Sequence, residues 1–186
     1  LLIIKENQFS KLNKLEILDL SYNELFYIEL NAFYGLNNVL QVLYLQNNHL
    51  TELYQNNLDN LQQLKYINFD SNKINKIRNY VFMSMTNLQN ISFQFNRLET
   101  IEANAFEELK NLQDLSFHRN KLTSFDHVIL TSKVDNLNLS FTTSGFSCVK
   151  VRNNSVIPAT CIDSSRIDHS TISHIPLSLP YLWKFN

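Results

Sequence analysis

The stretch Leu15–Leu36, LEILDLSYNELFYIELNAFYGL, decides the architecture. It has the form LxxLxLxxNxLxxI, followed by Ala32-Phe33 and Leu36. The same form returns along the chain. Its asparagines are Asn23, Asn48, Asn72, Asn96 and Asn120, at intervals of 25, 24, 24 and 24 residues. A fixed period of this length is the mark of a solenoid, in which no single turn buries its own apolar side.

The apolar positions keep the same register. Leu15, Leu18, Leu20, Leu25 and Ile28 are matched by Leu40, Leu43, Leu45, Leu50 and Leu53, then by Leu64, Ile67, Phe69, Ile74 and Ile77. Leu88, Ile91, Phe93, Leu98 and Ile101 follow, and then Leu112, Leu115, Phe117, Leu122 and Phe125. In LxL two residues point inward and the one between them points out, as strand alternation requires. The strands are expected to pair in parallel and form a concave wall. The pairs Ala32-Phe33, Val81-Phe82 and Ala105-Phe106, with the weaker Asn57-Leu58, are expected on a short helical or irregular return. The fold class is therefore an α/β solenoid with a parallel concave sheet.

The asparagine stands where the chain leaves the strand and its backbone loses ladder partners. Its amide offers both a donor and an acceptor to those groups. Replacing a buried one such as Asn72 should cost about 1–3 kcal/mol. All five are assigned to structure and none to a ligand.

The array reads as residues 1–141: a partial repeat, five full ones and a sixth strand at Val134, Leu137 and Leu139. There Thr142 replaces the asparagine, at an interval of 22. Leu1–Leu12 is the back half of a repeat with no polar cap before it, so the sequence is expected to be part of a longer parent. Residues 142–186 form a cysteine-containing cap or an inter-repeat segment. Ile172, Ile175-Pro176, Leu179-Pro180 and Leu182 there resemble the entry of another such array.

With 44% hydrophobic residues in 186, the chain has ample core. Its formal charge of -1 argues against nucleic acid or an anionic membrane as general partners. There is no apolar run that would span a bilayer, so a membrane enters only through an anchor outside this sequence. Gly35 and Gly145 are the only glycines, which leaves no phosphate-cradling loop. His169, His174, Asp163 and Asp168 lie in irregular chain without zinc spacing. No cofactor, metal or catalytic centre is assigned, and the chain is read as a non-enzyme.

Residues 1–141 resemble extracellular leucine-rich repeat proteins of the typical 24-residue class, a leucine-rich repeat horseshoe. SYNEL at Ser21–Leu25 and NAFYGL at Asn31–Leu36 are similar to Toll-type ectodomains, secreted insect immune proteins and neuronal adhesion proteins alike. The usual cap of these families has four cysteines and an Asn-Pro-Trp, whereas this chain has two cysteines and FTTSGFSC. The resemblance implies an extracellular module for protein recognition, in innate immunity or immune complex assembly. Adhesion or neuronal reception is the alternative, and a cytosolic scaffold a third. The implied partner is a protein ligand or co-receptor, including one that bears glycans, and a dimer is compatible with the pattern.

Three groups of candidate residues follow. Outward positions on the wall carry Tyr22, Tyr44, Tyr66, Phe95, His118, Arg119 and Phe141, the residue types that carry most interface energy once desolvated. Cys148 and Cys161 are read as a disulfide sealing the array, with free thiols or pairing outside the sequence as alternatives. Sequons stand at Asn90, Asn138 and Asn153, each a glycan site only in a secreted protein.

Overall fold

The computed structural model describes residues 1–58 and 61–122, Asn56 by its backbone alone, and the backbone of four later strands. In chain order the strands are β1 (Ile3–Ile4), β2 (Ile17–Asp19), β3 (Tyr27–Ile28), β4 (Val42–Tyr44), β5 (Glu52–Leu53), β6 (Tyr66–Asn68) and β7 (Lys76–Ile77). They continue as β8 (Asn90–Ser92), β9 (Thr100–Ile101), β10 (Asp114–Ser116), β11 (Ser124–Phe125), β12 (Asn138–Ser140), β13 (Phe146–Val149) and β14 (Leu182–Phe185).

The wall is one six-stranded sheet in the order β12-β10-β8-β6-β4-β2, with every neighbouring pair parallel. Its register aligns Leu18, Leu43, Ile67, Ile91, Leu115 and Leu139 in one column. From Leu18 to Leu115 that column is buried, and the residues on either side of it face outward. Alternation at period two thus sorts each strand into one spine residue and two wall residues.

A second column of apolar residues lies behind the spine. Phe69, Phe93 and Phe117 stack with nearly parallel planes, their centroids 4.9 and 5.9 Å apart. Phe82 and Phe106, from the return segments, stack at 5.6 Å and meet the first column edge-on, Phe82 against Phe93 at 6.1 Å. Offset stacks and edge contacts suit the aromatic quadrupole. In the first turns Leu20 and Leu45 occupy the place of these phenylalanines, and Phe9 stacks on Phe33 instead.

The return segments are chains of turns rather than α-helices. One 3-10 turn, Gln55–Asn57, is the only helical element among the described residues. The bonds close three residues back, as in Tyr34 N to Asn31 O at 3.0 Å and Leu88 N to Met85 O at 3.0 Å. The reason is local: Asn7, Asn31, Tyr80, Ser84 and Glu108 have φ between 54° and 71°, which stops a right-handed helix from propagating.

Between wall and return runs a flank ladder. β1 pairs with β3, and β5, β7 and β9 pair in parallel, as two separate sheets. Phe125 does not extend the second one, although it holds the register position of Ile101. Its strand β11 pairs antiparallel with β14, and β14 pairs antiparallel with β13. The extra residue in the first interval is legible too. Leu36 and Leu40 are four apart where later turns have three, and Leu40 N closes back onto Leu36 O at 3.0 Å.

Candidate functional site

The wall is built on the turn that ends each strand. Asn48, Asn72 and Asn96 are buried, and their amides close the same circuit in each repeat. Asn72 Nδ2 donates to Leu45 O at 2.9 Å and Phe69 O at 3.0 Å, while its Oδ1 accepts from Leu50 N at 3.0 Å. Asn96 repeats this with Phe69 O, Phe93 O and Ile74 N. Each carbonyl is therefore shared by the amides of two successive turns.

The residue before each ladder asparagine is left-handed: Tyr22, Asn47, Ser71, Phe95 and Arg119 have φ between 53° and 57°. Asparagine suits that region; aromatic residues and arginine do not ordinarily adopt it. Tyr22 and Phe95 are thrust into solvent, 79% and 55% exposed.

Of the seven wall candidates, the structure brings four together in two pairs. Tyr44 and Tyr66 lie on adjacent strands with ring centroids 5.5 Å apart. The Arg119 guanidinium lies over the Phe95 ring, 6.0 Å from its centroid. His118 stands beside the second pair, its carbonyl accepting from Phe95 N at 2.8 Å. Tyr22 sits at the other end of the wall. Phe141 lies outside the described residues.

Polar groups between these pairs are interlinked. Asp70 accepts from Ser92 Oγ at 2.5 Å and from Gln94 N at 2.7 Å. Asn90 Nδ2, the atom a glycan would occupy, donates to Asp114 at 2.5 Å. Burial holds the Tyr66 phenol above its ordinary pKa against the opposing hydrogen bond from Asn68. The Ser21 hydroxyl and backbone N–H hold Asp19 below its own. Asn138 and Cys148 fall in strands described by backbone only, and Asn153 and Cys161 lie outside the described residues.

The flank holds a charge cluster that column-by-column reading of the sequence misses. Glu52 and Lys76 are register partners on β5 and β7. Their ion pairs cross over: Arg78 reaches back to Glu52 at 2.9 Å, and Lys76 reaches forward to Glu102 at 2.6 Å. The Arg78 guanidinium also lies 5.2 Å from the Tyr54 ring centroid. The Tyr54 hydroxyl, and then Arg78, lower the Glu52 pKa. Lys76 and the Asn79 N–H lower that of Glu102. The signal was present in the sequence as Tyr27, Tyr54 and Tyr80, which slip two register positions per turn and so never share a column.

Residues 2–133 match the model of the BspA-type leucine-rich repeat region, in six copies. The chain belongs to the leucine-rich repeat family. Among solved structures, the APL1 leucine-rich repeat domain is similar, with a TM-score of 0.64 and 22% identity over 76% of this chain and 38% of that one. The Toll–Spatzle complex from Drosophila, titled a hub in development and innate immunity, gives 0.56 and 22% over 63% and 16%. This chain thus spans well under half the length of either leucine-rich repeat neighbour. No curated protein matches it. A parallel solenoid of this family presents a sheet suited to recognising proteins. Among the described residues no cluster of histidine, cysteine and carboxylate side chains is arranged to hold a metal.

Proposed function

We propose that this leucine-rich repeat chain is an extracellular recognition module that binds a protein on its six-stranded wall, in an innate immune setting. The observation that carries the reading is the pairing of anchor side chains along the wall: Tyr44 with Tyr66 on its strands, and Arg119 with Phe95 on the turns that end them. Tyrosine and arginine dominate binding energy where they are desolvated. The strands and their hydrogen-bonded turns hold them in place beforehand, which lowers the entropy lost on binding. Six strands at about 4.8 Å spacing give a wall roughly 24 Å wide, enough for a standard protein contact. The immune setting draws support from the Toll–Spatzle neighbour. The proposal includes a disulfide between Cys148 and Cys161 and glycans at Asn90, Asn138 or Asn153.

Partners drawn from extracellular fluid onto the immobilised chain provide the test. Tyr44→Ala and Arg119→Ala are each expected to weaken the captured interaction by tenfold or more, about 1.4 kcal/mol. Unchanged binding in both variants removes the wall as the site. Intact-mass analysis of the secreted protein checks the setting, and free thiols without glycans would point to a cytosolic scaffold.

A further inference from the structure

A cavity of about 570 Å³ opens on the flank, away from the wall. It reaches from β3 across the break in the flank ladder to the residues that follow β5 and β7. Its lining includes Tyr27, Tyr54, Tyr80, Arg78, Asn79 and Glu102. That volume lies within the roughly 300–1,000 Å³ of small-ligand sites. The three tyrosines are exposed, one from each of three successive turns.

Two of the rings are held rather than loose. Tyr54 is covered on one face by Arg78 and hydrogen-bonded to Glu52. The Tyr80 hydroxyl accepts from Asn104 Nδ2 at 3.0 Å. The Arg78 Nε–H is shut off from solvent without an acceptor among the described residues, so the fold tolerates an unmet donor to keep the guanidinium in this pose.

Charge narrows the ligand class. The lining carries one cation, Arg78, and one carboxylate, Glu102, and each is already paired, with Glu52 and Lys76 beyond the lining. An anion would have to displace a carboxylate, and a cation an ammonium or guanidinium. What remains on offer is flat aromatic surface edged by amide, carboxylate and guanidinium groups. A pyranose ring presents the complement: a face of C–H bonds to lie on a ring, and hydroxyls that donate and accept at its edge. We propose that this flank pocket binds a neutral oligosaccharide. The inference rests on the flank alone and is independent of the wall.

The test is calorimetric titration of the whole chain with cellohexaose, hexa-N-acetylchitohexaose and mannohexaose, and with a heparin hexasaccharide as the acidic comparison. At least one neutral hexasaccharide should bind with a Kd of about 1 mM or tighter. Tyr54→Ala and Tyr27→Ala, each checked for native circular dichroism, should weaken it at least tenfold. Tyr54→Phe, which keeps the ring but loses the Glu52 bond, should bind more tightly than Tyr54→Ala, and Tyr22→Ala, on the wall, should bind like the parent. Preference for the heparin fragment, no binding of any neutral hexasaccharide, or parent-like affinity in every folded alanine variant of the pocket overturns the assignment.

Discussion

Removing one ladder asparagine and then its neighbour should reveal how the turns are tied together. In Asn72→Ala the N–H of Leu50 loses its acceptor in a buried setting. The carbonyls of Leu45 and Phe69 each keep one donor, from Asn48 and Asn96. An orphaned buried N–H costs about 1–3 kcal/mol, and the two weakened carbonyls bring the total to about 2–4 kcal/mol. Asn96→Ala alone should behave alike, orphaning Ile74 N. In the double variant Phe69 O loses both of the side-chain donors it shares, at 3.0 and 2.9 Å. The loss should then exceed the sum of the singles by about 1–3 kcal/mol. Asn48→Ala with Asn96→Ala is the control, because these two amides share no carbonyl. Urea unfolding followed by circular dichroism reads the parent, the three single variants and the two doubles, with an unchanged slope as the check on the transition. Additivity of the Asn72/Asn96 pair to within about 0.5 kcal/mol would falsify the shared-carbonyl account.

Phe93→Ala should cost about 3–5 kcal/mol in the same assay, because the ring is fully buried and stacks on both Phe69 and Phe117; a loss under about 1 kcal/mol would mean the column is not continuous. Gly35→Ala should fail to fold or lose most of its stability: φ is +97°, and a Cβ would come within 2.6 Å of Ser10 Cα, a backbone atom. Glu52 has its folded-state pKa held below the ordinary 4.5, so its contribution is present above that pH and vanishes as pH falls through the folded value. The melting temperature of Glu52→Gln should therefore lie below that of the parent at pH 7, and the gap should close on acidification below about pH 4.5; a gap that widens toward acid would reverse the sign.

The wall was legible because both of its determinants are written in side chains. Leu18 and its partners set the buried face, and the asparagines set the register. The irregular return was harder to read. Its form follows from left-handed backbone at Asn31, Tyr80 and Glu108, and neither tyrosine nor glutamate advertises that conformation. Phe125 looked like another Ile101 because its apolar character fits either ladder; its antiparallel pairing with Trp183 depends on chain nearly sixty residues away. Of the wall candidates, Phe95 and Arg119 share a column one period apart, although the left-handed turn that throws both side chains outward was not legible. The Tyr44–Tyr66 contact is diagonal, since the register sets Tyr44 against Asn68 and Val42 against Tyr66. The flank cluster was hidden for a related reason: crossed ion pairs and drifting tyrosines are diagonal, and a periodic pattern displays only columns.

The left-handed positions ahead of the ladder asparagines have a consequence for how specificity is rewritten. Tyr22, Asn47, Ser71, Phe95 and Arg119 form a row of five sites whose backbone is dictated by the turn and not by the residue. The unfavourable φ falls on aromatic side chains and arginine alike, so exchanging one such large side chain for another there changes stability little. The interior is untouched by such an exchange, while the chemistry displayed at the lip of the sheet changes completely. Each coil of the solenoid therefore owns one letter, as on a combination lock whose dials share an axle, and only the touching dials Phe95 and Arg119 are geared together.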